Sequence, residues 1–380
     1  MKSFSFRRFA ELVLLLGLGL AAGVALDRWL RPWPRQAITF VPVSAPAPPA
    51  PAAAPPAPEA IACSVASAFD NNLYPSLLLS FAAADPEYTR CVTVSVRGAV
   101  KGRNYQVAVQ SALLEQPAVT TVTAADDHFS VRPALAWNFA ALRAVTQLRP
   151  ENLAATVTSD TETASALATC MVHPINEAVS RILDPDTGEW VDLSVCFAAY
   201  VNEDHPWINQ ILQEASAHDG LARFSGYELG PESVVRQMRA VWDALAARGL
   251  TYVDLATTSS AVPGVATQYV RFLDQSVRDQ GANCVDASVL LASIFRRIGL
   301  RPVLIFRPGH CLIAVYDAAQ GGQLIGVETT LLNSEPFGAA FALGGQELAN
   351  ILPHLDTPGY SSVDIALARQ AGIRPIAFDP

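Results

Sequence analysis

The sequence predicts an α+β fold in which a β-sandwich-like region precedes a helix packed on an antiparallel sheet, and three observations predict it. Segments of period-two alternation crowd the chain from about Arg90 to Ile175. Apolar residues recur at helical spacing after about Asp192. One long apolar helix is then followed directly by three short strands, between Cys284 and Glu328. With 380 residues, 51% of them apolar, there is material for two compact domains plus extensions. The formal charge of −9, with Lys and Arg scattered rather than striped, lacks the basic footprint of a nucleic-acid binder, so no DNA or RNA partner is expected.

In chain order, residues 1–30 are expected to be a signal peptide or membrane anchor, and 31–60 a Pro/Ala-rich linker. Lys2, Arg7 and Arg8 precede an apolar run from Leu12 to Leu26. That run is short of the roughly 20 residues of a membrane span and suits a signal-peptide core, with Gly23-Val24-Ala25 as a small-x-small cleavage pattern. An uncleaved anchor, ragged from Phe9 to Leu30 with Trp29 and Trp33 at the interface, stays open. The stretch "VPVSAPAPPAPAAAPPAP" cannot form a core and reads as an extended spacer holding a folded body away from a membrane. The expected location is the bacterial periplasm or cell envelope, tethered to the inner membrane or secreted. The competing reading is a cytoplasmic protein whose apolar N-terminus packs into a partner.

Residues 61–200 are expected to form the β-rich domain. "CVTVSVRGAV", "YQVAVQSALL", "FSVRPALAW" and "NLAATVTSDTETASALATCMV" alternate as half-buried strands between polar or Gly/Pro turns. Leu73–Phe81 is ambiguous between helix and strand, with Pro75 confined to an end of either. In an exported protein Cys63, Cys91, Cys170 and Cys196 are candidates for disulfides. Cys63–Cys91 and Cys170–Cys196 are the tempting pairs, each worth roughly 3 kcal/mol by loop closure. Sequence does not choose among the three connectivities of four cysteines, and six reduced, buried thiols are the alternative. No pair has the C-x-x-C spacing of a zinc or redox site, and His128, His173, His205, His218 and His354 are scattered without ligand spacing. No metal and no cofactor are expected.

Residues 201–380 form the second expected domain. "HPWINQILQEASA" opens with Pro206 just inside a helix start, with His205 as the entry residue. "PESVVRQMRAVWDALAARG" places Val234, Val235, Met238, Val241, Trp242 and Leu245 on one face, with Gly249 as the stop. From Cys284, the positions Ala287, Leu290, Leu291, Ile294, Phe295 and Ile298 again recur at helical spacing, with Arg296 and Arg297 in the last turn and Gly299 after it. Cys284 therefore sits at a helix N-terminus, where unpaired N–H groups and the helix dipole stabilise a thiolate. Asp286 in the first turn suits the same dipole, and a plain helix-terminus charge is its simplest role.

"RPVLIF", "HCLIAVY" and "QLIGVE" follow as strands. A hairpin centred near residue 319, in "DAAQGG", sets His310 directly opposite Glu328, about 5 Å apart at Cβ, within reach of an imidazole–carboxylate hydrogen bond. A thiolate, a base and an orienting acid are what cysteine nucleophilic catalysis requires. The Cys284 backbone N–H is one natural oxyanion donor; Gln280 and Asn283 are candidates for the second, with turn or capping roles as the competing reading.

The segments "GANCVDASVLLASIFRRIGLRPVLI", "PGHCLIAVY" and "GVETT" resemble the transglutaminase-like cysteine-peptidase superfamily, a papain-like arrangement. Nearest is the branch whose Cys-x-Asp and Pro-Gly-His signatures also occur in the N-terminal region of large bacterial helicase-type proteins. The resemblance covers about residues 200 to 375. It implies Cys284 as nucleophile, His310 as base and Glu328 as orienting acid, acting on a protein or peptide substrate. This sequence departs from the pattern in having Glu where many relatives have Asp, and Cys311 directly after the histidine, which leaves a Cys284–Cys311 redox link open. The resemblance implies a cysteine peptidase, amidase or acyl transferase working through a thioester. The alternative is a catalytically inactive interaction module of the cell envelope.

Overall fold

The computed structural model describes residues 61–82, 84, 90–184, 187–221, 223–254 and 262–376. The expected leader and Pro/Ala linker lie outside these residues. Among the described residues no helix is long and apolar enough to cross a membrane.

The N-terminal half opens with β1 (Ala62–Ser67), β2 (Asn72–Leu73) and α1 (Pro75–Phe81). Pro75 is the first helical residue, where its missing N–H costs nothing, so the ambiguous stretch divides into a two-residue strand and a helix. Then come β3 (Val92–Arg97), β4 (Asn104–Gln110), β5 (Ala118–Thr123), β6 (His128–Val131), α2 (Phe139–Arg143), β7 (Arg149–Thr158) and β8 (Thr163–Val172). They form a three-stranded sheet ordered β1-β3-β6 and a five-stranded sheet ordered β2-β8-β7-β4-β5. The alternation has its expected consequence: Tyr105, Val107 and Val109 of β4 are buried while Asn104, Gln106 and Gln110 face solvent.

The boundary expected at residue 200 is crossed by a third sheet. β9 (Glu177–Leu183) lies between β10 (Trp190–Asp192) and β12 (Val265–Tyr269). Glu177 pairs with Tyr269, and Ile182 with Val265. The change of pattern near Asp192 thus marks a change of secondary structure. Polar groups stitch the same seam: the buried Asn176 donates Nδ2–H to Val270 O at 2.7 Å and to Gln275 Oε1 at 2.8 Å, and Arg143 pairs with Asp274 at 3.0 Å.

Beyond it stand α3 (Pro206–Asp219), α4 (Pro231–Ala247), β11 (Thr251–Tyr252), α5 (Leu273–Asp279), β13 (Gly281–Ala282) and α6 (Cys284–Arg297). Trp242 of α4 is 1% exposed and meets the Phe337 ring edge-on at 6.0 Å. β14 (Pro302–Arg307), β15 (His310–Tyr316), β16 (Leu324–Val327), α7 (Phe337–Ile351), β17 (Ser361–Asp364) and α8 (Ile365–Gln370) complete the chain. The antiparallel sheet is ordered β16-β15-β14-β17, and helices cover both faces. Leu304, Phe306, Cys311, Ile313 and Val315 join the main core with α6, whose residues from Val285 to Phe295 are all buried. Val303, Ile305, Leu312 and Ala314 meet Leu348 and Ile351 of α7 on the other side. Each fully buried aliphatic side chain is worth about 1.5–3 kcal/mol relative to exposure, so this double-sided packing fixes the sheet that carries the histidine. Arg369 of α8 is buried and donates to Ala198 O, Val201 O and Ile373 O and to Glu203, tying the end of the chain to the segment that enters α3.

Candidate active site

Cys284 is the first residue of α6, and the helix start is over-determined. Asn283 caps it, its Oδ1 accepting from Asp286 N at 2.9 Å, while Asp286 Oδ2 accepts from Asn283 N at 3.1 Å. Asp286 also accepts from the backbone N–H of Arg271 and from its guanidinium, both at 2.7 Å. Asp286 is thus more than a dipole charge: it fastens the chain at Arg271, just after β12, to the start of α6. Burial pushes its carboxyl pKa up, and hydrogen bonds from Arg271 and Asn283 pull against that. With Asp286 N occupied, the N–H groups of Cys284 and Val285 are left without intrahelical partners, as at any helix start.

His310 opens β15 after the turn at Arg307, Pro308 and Gly309, where Gly309 takes a φ of 73°. Its Nε2–H donates to Glu328 Oε2 at 2.8 Å, and the His310 and Glu328 side chains are 11% and 4% exposed. The Cys284 thiol is its other side-chain hydrogen-bond partner. Since Glu328 occupies Nε2, the nitrogen left for the thiol is Nδ1. Burial pulls the imidazole pKa down, but the hydrogen bonds and charges of Cys284 and Glu328 outweigh it, leaving a value raised to about 9. Burial pushes Glu328 up, and its bonds to His310 and Thr330 bring it below the ordinary carboxylate value.

The expected strand register needs correction. β15 pairs Ile313 with Val327 and Tyr316 with Leu324, so continuing the ladder sets Leu312, not His310, opposite Glu328. The hairpin turn lies one residue further along than its sequence centre suggested. Glu328 has left the ladder: it caps the short 3-10 turn Thr329–Leu331, accepting from Thr330 N at 2.9 Å, and its carboxylate reaches back along the strand to His310. Thr329 Oγ1 donates to Cys284 O at 3.3 Å, so the turn after Glu328 touches the start of α6.

Gln280 and Asn283, the two oxyanion candidates, both bond to backbone groups. Gln280 adopts a left-handed φ of 51° and donates Nε2–H to Arg248 O at 2.5 Å. It lines a cavity of about 530 Å3 with Trp207, Arg248, Asp274, Val277 and Arg278 that contains none of Cys284, His310 and Glu328. Asn283 is buried in its capping role. The residue missed in the sequence is Tyr252. β11 runs parallel to β13 with Tyr252 beside Ala282, two residues before Cys284, and Val253 N donates to Ala282 O at 2.9 Å. Burial and then the negative charges of Cys284, Asp254 and Glu328 push its phenol pKa up. Its only sequence signal was a tyrosine just after the α4 stop at Gly249.

All six cysteines are free thiols, so neither the Cys63–Cys91 nor the Cys170–Cys196 disulfide is present, nor a Cys284–Cys311 link. Cys91 has Cys170, not Cys63, as its electrostatic neighbour, and Cys311 is fully buried with its Sγ toward Leu312 O at 3.8 Å. Among the described residues no group of three His, Cys, Asp or Glu is placed to hold a metal ion.

No protein-family model matches the chain. No curated protein matches it either. Among solved structures it is similar to red sea bream transglutaminase at 10% identity and a TM-score of 0.20, over 63% of this chain and 48% of that one. The chain therefore spans about half the length of that protein, and a likeness this distant carries no argument about activity.

Proposed function

We propose that the protein is a cysteine-dependent enzyme that cleaves or transfers the acyl group of an amide, with Cys284 as nucleophile, His310 as base and Glu328 as the acid that orients it. The observation that supports this reading is a single imidazole held between a thiol at a helix N-terminus and a buried carboxylate 2.8 Å away. His310, protonated below its pKa of about 9, carries at Nδ1 the proton that the Cys284 thiol gives up, and Cys284 Sγ forms a bond to the substrate carbonyl carbon. The oxygen that gains the electron pair is stabilised by the N–H groups at the start of α6, with the Tyr252 hydroxyl as a further donor. Collapse of this intermediate breaks the C–N bond, and His310 protonates the departing amine. The thioester then passes its acyl group to water, giving a carboxylic acid, or to an amine, giving a new amide; in either case His310 takes the proton of the attacking group and returns it to the thiolate.

The substrate class is a protein or peptide. The setting is the cell envelope, with residues 1–30 as leader or anchor and 31–60 as spacer. The test is iodoacetamide labelling of the full chain at neutral pH, mapped by mass spectrometry, together with turnover of a peptide-amide mixture. Fast, selective labelling of Cys284 that is lost in His310→Ala, with turnover lost in Cys284→Ala, is expected. A Cys284 that labels no faster than Cys311 in either protein overturns the proposal and leaves an inert binding module.

A further inference from the structure

Helix α7 reads "FGAAFALGGQELANI", and Gly344-Gly345 in its interior is a local contradiction, since glycine is the poorest helix former after proline. The two glycines differ in surroundings. A Cβ on Gly345 meets nothing within 4 Å. One on Gly344 would lie 2.5 Å from Val327 Cα, 2.6 Å from Val327 N and 2.7 Å from Glu328 N, distances that real Cβ atoms do not adopt. From the strand side, a Cβ on Gly326 would lie 2.5 Å from Gly344 O and 2.9 Å from Gly344 C. Helix and strand therefore cross backbone to backbone. One turn back, Ala340 O accepts the Glu328 N–H at 3.0 Å, so the main chain of the acid bonds to the helix and not to β15.

Together with the register this assigns a cause. The β15–β16 hairpin sets Leu312 opposite Glu328, and strand pairing stops at Val327. What fixes the acid after that is the helix lying across it. We infer that Gly326 and Gly344 are positioning residues: their side-chain-free crossing, with the Ala340–Glu328 hydrogen bond, sets where the Glu328 carboxylate stands relative to His310. The inference rests on the proposed reading only in taking Glu328 as the orienting acid. It departs from that reading in making the placement of the acid a property of α7, which contributes no side chain to the reaction.

The test follows the His310 imidazole by NMR titration in the full chain, for wild type and for Gly344→Ala, Gly326→Ala, Gly345→Ala and Glu328→Gln. The wild-type midpoint is expected at about 9. Glu328→Gln defines the lower value with the carboxylate removed. Gly344→Ala and Gly326→Ala are expected to fall toward it, and Gly345→Ala to keep the wild-type midpoint with no loss of melting temperature. Folded Gly344→Ala and Gly326→Ala proteins that both keep the wild-type midpoint overturn the inference. Should neither fold, amide hydrogen exchange of wild-type Glu328 decides: protection matching the α7 interior supports the crossing, and exchange at the rate of a free strand end overturns it. A midpoint near 9 that falls in Gly344→Ala, in a protein without turnover, removes the catalytic proposal and leaves this inference standing.

Discussion

His310 and Glu328 share a 2.8 Å hydrogen bond although the strands that carry them are not paired at those positions. The imidazole is fixed by β15, and the carboxylate by a cap and a helix beyond the end of β16. The imidazole and the carboxylate thus rest on different supports, and each support can be weakened by itself.

The first consequence is a pH dependence of stability. The folded-state pKa of His310, about 9, lies above the ordinary value near 6.5, so the protonated imidazole and its partners stabilise the fold fully below pH 6.5. That contribution, about 3 kcal/mol, is lost as pH rises through 9. Urea unfolding between pH 6 and 10 should show this decline in wild type. In His310→Gln it should be absent, and a decline of the same size there refutes the assignment.

Asp286 should be among the costliest polar residues to remove. Its carboxylate serves two backbone N–H groups and a guanidinium that is only 13% exposed. Taking one partner out of a buried, hydrogen-bonded ion pair costs about 3–5 kcal/mol, which is the loss expected for Asp286→Ala by chemical denaturation. Asp286→Asn, which keeps the shape, should recover part of it.

Within α7, Gly345→Ala should stabilise the protein by about 1 kcal/mol, the helix-propensity difference, because the new methyl meets open space. The same change one residue earlier should destabilise it. Paired melting curves of the two variants check the sign of each.

Tyr252→Phe separates acyl chemistry from thiol reactivity. Alkylation by iodoacetamide develops no oxyanion, so its rate at Cys284 should stay within about twofold, while turnover of an amide falls by on the order of 10² if the hydroxyl donates to the tetrahedral intermediate. Equal effects on both rates would place Tyr252 in a merely structural role.

Cys311→Ala should cost about 1–2 kcal/mol through loss of a buried side chain and leave Cys284 labelling unchanged. Burial pushes the Cys91 and Cys170 thiols up to about 12 and about 11, and raises Cys196 and Cys311 well above the ordinary thiol value. They should not compete with Cys284 for reagent at neutral pH, and mass mapping of partial alkylation reads this directly.

Much of the local structure was legible. The periodicity from Ala287 to Ile298 marks a helix that does begin at Cys284, and the three strands after it appear in order. Alternation found β4, β7 and β8 because one face of each is buried. What stayed hidden depends on contacts between distant elements. The register of β15 and β16 turned on a polar turn whose centre is off by one residue, and composition does not fix that centre. Tyr252 reaches the site through a two-residue parallel bridge too short to leave a pattern. Gln280 was a plausible donor by position, but its left-handed backbone turns the amide toward Arg248. Gly344 of α7 is accounted for by the strand beneath it, a contact that leaves no pattern in the sequence.

The sheet that joins β9 to β12 also bears on how this protein can be inherited. Deleting residues 61–200 would strip β12 of β9, its one partner in that sheet among the described residues, baring a row of unpaired N–H and C=O groups, and would cut Tyr269 from Glu177 just upstream of Arg271 and its hold on the start of α6. The two halves are therefore not interchangeable modules. Recombination that shuffles the C-terminal half onto a different neighbour must bring β9 with it or supply a strand of matching register, so the β-rich region and the cysteine helix are expected to travel through evolution as one unit.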